Sequence, residues 1–508
     1  MITNKTSFKF LILFITLFLQ SQIFSQTSID RQIQIGLDKI YNFNWEAGFE
    51  AFNSVITKNP DDPRGYHYKS IIYLWYYLGN LREDNLDSFY LYSDKAIELT
   101  EKKMQEKPTA ELSYLLGSIY YNKSIAEARN GNFLQALWTS SQMKANLEDA
   151  IKVKPDFYDA FLGLGLYNFA LSQIPSSLEW AANLVGIIAD KEKGLKLVIK
   201  SVQKGKLSKV DAQYYLSQLY SRVIVDHPEA KKILSGLVRR YPKNLLFGFS
   251  LAWVEYELCD LNNAEKRLRK VLNTKDELFP FISSNSNLLL ANIFFDKSQF
   301  DSARVYYQNF LKNAVNNDFK GFANFKIGLS LELSDKRKDA VKYYKLSDTG
   351  NSDIEEDLYA ERKGNELLDS ALTESAKRLI LISSLYKQNR LNAAKDSLII
   401  FLSSAEIKDE LKAEAKLLLA QVFYQQKKYR ESLNAAVDCL NIEIKKEFWI
   451  HAFAHYVAAW DSYQLKNYTD SKLFLLQIKG ISEYDFRSSL ENKIYTLDRL
   501  LPQDLRNN

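Results

Sequence analysis

A small side chain returns along this chain at an interval close to the length of a helix pair. Ala230-Lys-Lys-Ile-Leu234 aligns with Ala264-Glu-Lys-Arg-Leu268, so the alanine and the leucine four places on both recur after 34 residues. The column continues through Ala303, Ala340, Ala394, Ser432 and Ser471, with Tyr307, Tyr344, Leu398, Ala436 and Leu475 four places later. Twelve residues before most of these lies a second small residue: Ala252, Ala291, Gly328, Ala420 and Ala459, with Ile382 breaking the series. At a helix crossing, a side chain larger than Ala pushes the two axes apart. Two such columns a fixed distance apart therefore mark a pair of closely crossing helices, and their recurrence marks a stack of such pairs. With only 9 Pro and 18 Gly in 508 residues, the chain lacks the punctuation of an all-β fold. Its 46% hydrophobic and 25% charged content is that of a folded chain, not a disordered, collagenous or polytopic membrane one.

These columns resemble the tetratricopeptide repeat, a helix–turn–helix unit of about 34 residues. The resemblance implies an all-α, helical-hairpin solenoid that winds as a right-handed superhelix with a concave groove. Upstream residues match it as well: Gly36, Gly48, Phe52, Val55 and Pro60; then Leu116, Gly117 and Tyr120; then Phe161, Leu164 and Gly165. A poorer unit covers Tyr66 to Ala96. About eleven units are expected over residues 29–480, with insertions. Residues 26–160 hold N-terminal units, 161–211 a repeat start plus inserted helices, and 212–348 further units. Residues 349–374 form an inserted helix or hinge, 375–480 the last units, and 481–508 a capping helix and tail. A second, shorter resemblance, over residues 161–205, is to the eukaryotic mitochondrial inclusion-body-clearance family of repeat proteins. There Ser176 with Glu179, and Ser208 with Asp211, have the spacing of capping boxes, and Gly194 and Gly205 offer helix stops.

In the resembling family the first helix of each unit lines the groove through its second, fifth, ninth, twelfth and thirteenth positions. Transferred with the small residue as the eighth, these positions give Tyr114, Tyr121, Phe249, Trp253, Tyr256, Phe322, Phe325, Tyr424, Tyr456, Trp460 and Tyr463 as groove candidates. The lining is aromatic with few charges, unlike members that clamp a peptide carboxylate with Lys, Arg and Asn. It suits an apolar or amphipathic peptide helix of a partner protein, or sugar rings stacked on flat faces. The same aromatics would instead be core in a tightly wound superhelix. No basic stripe suits nucleic acid. A glycan-binding envelope protein similar to the starch-utilisation proteins is the alternative.

Lys5 and Lys9 precede an apolar run from Phe10 to Leu19, and small Ser25 follows. That is the pattern of a secretory signal cleaved after Ser25. It predicts an exported protein, periplasmic or extracellular, in association with the envelope, without a membrane span or lipidation cysteine. Cleavage removes two lysines and lowers the formal charge from +5 to +3. The composition resembles that of exported proteins of Bacteroidetes-type bacteria. Cys259 and Cys439, 180 residues apart, read as small buried side chains. Catalysis has little to stand on. Glu447, His451 and His455 share a helix face, but Ala452 stands where the zinc-protease pattern needs Glu. Gly163-Leu-Gly165 has Asn168 where a dinucleotide loop needs its third glycine. No enzyme, cofactor or metal is expected.

Overall fold

The computed structural model describes residues 28–171, 190–274, 277–404 and 407–506. All regular structure among them is helical. The helices follow one another as eleven hairpins. The first five are α1 (28–41) with α2 (Trp45–Lys58), α3 (Pro63–Asn80) with α4 (Glu83–Glu106), α5 (Ala110–Arg129) with α6 (Phe133–Val153), α7 (Ala160–Leu171) with α8 (Lys191–Lys204), and α9 (Lys209–Gln218) with α10 (His227–Arg240). A π-turn, Leu219–Val223, ends α9. The next three pair α11 (Leu245–Glu257) with α12 (Leu261–Asn273), α13 (Pro280–Asp296) with α14 (Phe300–Asn313), and α15 (Lys320–Glu332) with α16 (Arg337–Tyr344). A lone helix α17 (Glu355–Asp369) precedes α18 (Glu374–Lys387) with α19 (Leu391–Leu402), α20 (Asp409–Gln425) with α21 (Tyr429–Leu440), and α22 (Trp449–Gln464) with α23 (Tyr468–Lys479). Helix α24 (Arg487–Leu500) follows. No described helix is long and apolar enough to cross a membrane.

Why the hairpins repeat is visible at their turns. Seven residues after the first small column, the backbone enters the left-handed region at Phe43, Cys259, Ser298, Asp335, Asn389, Lys427 and Lys466, with φ between 55° and 63°. The residue after each closes the end of the first helix by bonding back five places, as in Asp260 N–H to Glu255 O (2.8 Å) and Lys428 N–H to Phe423 O (2.9 Å). This is the Schellman stop, built here almost wholly without glycine. Each non-glycine residue in that region costs roughly 1–2 kcal/mol, which packing must offset. Gly131 is the exception.

The packing that offsets it lies five residues beyond each turn. Ala264, Ala303, Ala340 and Ala394 are 0% exposed, as are Ala252, Ala291, Ala420 and Ala459 across the crossing. A Cβ on Gly328 would lie 2.5 Å from the Tyr344 ring. Ile382, which breaks the column, still stands seven residues before its turn at Asn389 and is buried. In the third hairpin the turn at Gly131 comes fourteen residues beyond Gly117 instead of seven, yet Gly117 keeps its close contact: a Cβ there would lie 2.7 Å from Leu147. Seven residues are about two helical turns, so Tyr114 and Tyr121 keep their face.

The chain forms two compact bodies. The N-terminal body comprises residues up to Leu216 together with Gly236–Leu245; the C-terminal body comprises Ser217–Ser235 and everything from Leu246. In the first, α7 packs directly on α8, with a Cβ on Gly165 or Gly194 only 2.8 Å from the other's carbonyl. Gly194 therefore lies inside a helix and is a contact, not a stop; Gly205 does follow the helix end. The insertion falls within this hairpin, and Ser176, Glu179 and Trp180 lie outside the described residues. Ser208 and Asp211 form no capping box: the Ser208 hydroxyl donates to Asp159 Oδ1 (2.8 Å), and Asp211 Oδ2 accepts from Tyr41 (2.6 Å).

In the C-terminal body the long gap holds α17. Asp357 on it accepts N–H bonds from Phe319, Phe322 and Asn351 at 2.7–2.9 Å and so caps α15. Arg362 makes a bidentate pair with Glu447 (3.0 and 2.9 Å) and reaches Asp485 (2.6 Å). Glu355 accepts from Ser488 N–H at the start of α24 (2.6 Å). Leu490, Leu497 and Leu501, all 0% exposed, pack α24 and its C-terminal flank against Leu475 and Ile478 of the last hairpin. Thr496 on α24 donates to Ile224 O beside the π-turn (2.5 Å), so the end of this body meets its beginning.

Candidate binding face

The predicted groove residues fall into three groups. Phe325 is core: only 4% is exposed, and Tyr344 and Tyr359 pack on it with ring centroids 6.1 Å away. Its assignment to the groove is corrected, because α17 supplies a ring the repeat pattern does not contain. Tyr114 and Tyr121, in the N-terminal body, are half-buried, each near a neighbouring ring. Tyr114 lies 5.0 Å from Phe157 and Tyr121 6.5 Å from Tyr215, and burial raises both phenols well above their ordinary pKa. Phe249, Trp253, Tyr256, Phe322, Tyr424, Tyr456, Trp460 and Tyr463, in the C-terminal body, are half-buried; none is fully exposed.

Several of these rings join neighbouring hairpins. Tyr256, at the twelfth position of its unit, donates to Asp296 Oδ2 at the thirteenth of the next (2.9 Å). Gln425 Nε2 donates to the Tyr386 hydroxyl in the same positions three hairpins on (3.1 Å). Where α17 intervenes the ladder changes partner. Gln388 Nε2 bonds Asp296 O (2.9 Å), linking the seventh hairpin to the ninth and passing over the eighth.

The expectation of few charges is also corrected. Four cations lie over the rings of this face. Arg222 is 4.8 Å from the Trp253 centroid, Lys387 5.7 Å from Tyr256, and Lys493 of α24 5.3 Å from Phe453. Lys326 is 4.1 Å from Phe295 and 5.5 Å from Phe322. Burial lowers the pKa of Lys326 and Lys493. Burial also acts against charge on Lys387, but Asp296 and Glu257 more than offset it and leave Lys387 raised. Asp296 is raised by burial against the pull of Lys387 and Lys326. Glu257, Asp296 and Lys387 all stand at thirteenth positions, so this part of the charge was within reach of the repeat register. Lys326 at a sixth position and Lys493 on the final helix were not.

Glu447, His451 and His455 do not assemble into a site. Burial pushes Glu447 up, but Arg362 and Lys363 hold it down at about 2, and Trp449 Nε1–H also donates to it (2.8 Å). His451 Nε2 faces Ile442 O at 3.0 Å, and burial pulls His455 down to about 4. Among the described residues no group of His, Cys, Asp and Glu could hold a metal ion. Cys259 and Cys439 are free and buried.

The Iml2/Tetratricopeptide repeat protein 39 family model matches residues 87–309, which enclose the stretch 161–205 noted above. A tetratricopeptide repeat model matches residues 381–438. No curated protein sequence matches the chain. Among solved structures, pilF of Pseudomonas aeruginosa is 14% identical and aligns over 49% of this chain and 97% of its own, with a TM-score of 0.34. Yeast Tom70 is 12% identical over 93% and 95% (TM-score 0.28). Human IFIT1, solved as a dimer with m7Gppp-AAAA, is 14% identical over 79% of each chain (TM-score 0.35). The small-residue columns, the hairpins they build and the two family matches agree: the chain belongs to the tetratricopeptide-repeat family.

Proposed function

We propose that the protein is an exported scaffold that holds a partner protein or peptide against the aromatic inner positions of its C-terminal body, and that it catalyses no reaction. The observation that carries this is the contrast between two sets of residues on the same helices. The crossing alanines are fully closed, whereas Trp253, Tyr256, Tyr424, Trp460 and Tyr463 keep accessible surface. Half-exposed aromatic rings at regular spacing are costly to leave wet and favourable to cover with a partner. A photo-crosslinking amino acid placed at Tyr463 is expected to capture a defined partner in the native envelope, and one at outward-facing Val305 to capture none. Equal capture from both sites would overturn the proposal.

Export rests on the basic, apolar and small-residue order of residues 5–25, which lie outside the described residues. It places the mature protein in the periplasm or outside the cell, in contact with the envelope. N-terminal sequencing of native protein is expected to begin at Gln26; an intact Met1 start would refute it.

A further inference from the structure

We infer that the segment taken up by the C-terminal body is an acidic, amphipathic peptide whose carboxylates meet Lys326, Lys387 and Lys493 while its apolar side chains lie against the surrounding rings. This rests on the proposed peptide-binding function and adds the chemistry of the partner.

Three observations carry it. First, each of the three lysines lies over an aromatic ring of the face, and none forms an ion pair or a hydrogen bond with another described residue. Lysine ammoniums elsewhere in the same body do pair: Lys231 with Asp260 at 2.9 Å, Lys297 with Glu265 at 2.7 Å, Lys472 with Asp498 at 3.0 Å. A half-buried cation with no carboxylate at ion-pair distance is an unusual thing to keep, because burial favours pairing. Second, the three belong to one charge cluster although they come from three distant elements, α15, α18 and α24; Lys387 acts electrostatically on both Lys326 and Lys493. The three therefore lie within electrostatic reach of one another. Third, Asp296 and Glu257 act on these lysines only from beyond ion-pair distance and do not match the cations of the face in number. Asp296 is bonded by the Tyr256 hydroxyl, and Glu257 and Glu356 make no ion pair among the described residues. With Arg222 over Trp253, the face presents four cations against three carboxylates. Rings with ammoniums above them complement a helix that alternates apolar and acidic side chains.

The test uses the full chain and two fluorescent synthetic helical peptides that share a Leu/Phe face, one with Glu on its other positions and one with Gln. Fluorescence anisotropy is expected to show the Glu peptide binding about tenfold tighter, with the advantage shrinking as salt rises. In the Lys326→Met/Lys387→Met variant the Glu peptide is expected to fall to the affinity of the Gln peptide, whose own binding stays unchanged; that unchanged binding shows the variant is folded. Lys493→Met, on a different element, is expected to remove part of the same advantage. Equal binding of the two peptides would overturn the inference and leave the groove function standing. Binding of neither would overturn both. A single-stranded oligonucleotide that outcompetes the Glu peptide, and loses its hold in the same variant, would overturn it in favour of a nucleic acid.

Discussion

The two bodies are built from the same repeat and treat their inner polar groups differently. In the N-terminal body several inner groups satisfy one another, although buried His67 Nδ1 has no hydrogen-bond partner among the described residues. Tyr41 donates to Asp211, Tyr241 to Asp38 (2.9 Å), Tyr90 to Glu127 (2.7 Å), and Asn244 to Tyr41 O (2.8 Å). In the C-terminal body hydroxyls and amides are similarly paired, but lysines are set over rings without partners. The first pattern rigidifies a structure and leaves nothing to offer. The second costs stability and keeps charge available, as surfaces that await a ligand do.

The largest expected effect is at the Arg362 cluster, which ties α17 to the last hairpin. Arg362→Met leaves Asp485 without this counter-charge and Glu447 with Lys363 alone, and removing one partner of such a part-buried pair costs up to about 3 kcal/mol. Hydrogen exchange is expected to accelerate in α17, α22 and α24 while the N-terminal body keeps its protection. Uniform acceleration in both bodies would mean that the cluster does not act locally.

Next come two carboxyls that separate the bodies by pH. Burial pushes Asp461 up to about 7; neither of its oxygens has a hydrogen-bond partner among the described residues, and nearby Ser432 gives its proton to Ala420 O (2.9 Å). Burial likewise raises Asp211 to about 6, against the hydrogen bond from Tyr41. Each folded-state pKa lies above the unfolded value near 4, so each group's stability is full below about 4 and is lost as pH rises through the folded value. The C-terminal body is expected to weaken up to about pH 7, the N-terminal one only to about 6. Asp461→Asn removes its share of the C-terminal slope, leaving that of Glu414, which burial also raises to about 7, and gains about 2 kcal/mol at pH 8. Unchanged denaturation midpoints across pH 5–8 would contradict this.

Smaller again is Gly165→Ala. Its new Cβ meets Gly194 O at 2.8 Å and Val198, and overpacking of this kind costs roughly 1–3 kcal/mol, felt in α7 and α8 by hydrogen exchange. An unaffected variant would mean that the hairpin can spread without loss.

The small columns were legible in the sequence because close approach admits few substitutes; Ala and Gly are almost the only solutions there. The turns were not, because left-handed positions carry Cys259, Lys427 and Lys466, residues with no turn signature, held by the packing five residues on. Phe325 was misplaced for another reason. A repeat register predicts what a hairpin shows its neighbours, but not what an inserted helix lays over it, and Tyr359 of α17 does so. The same insertion hid the company Lys387 keeps, though its thirteenth position was within reach of the register. Lys387 reaches Asp296 only because the ninth hairpin touches the seventh, a contact that nearest-neighbour stacking does not contain.

The smallest expected effects discriminate best between the two bodies. Tyr41→Phe removes one hydroxyl and leaves buried Asp211 without its donor, a loss of about 1–2 kcal/mol. Lys326→Met removes a cation that has no ion-pair partner and keeps the apolar stem over Phe295 and Phe322, so the cation–π attraction lost is offset by the desolvation relieved. The C-terminal body is therefore expected to hold its stability, or gain up to about 1 kcal/mol, in urea titrations. If Lys326→Met instead destabilises as much as Tyr41→Phe, its ammonium is a structural group like those of the N-terminal body, and the difference between the two interiors disappears.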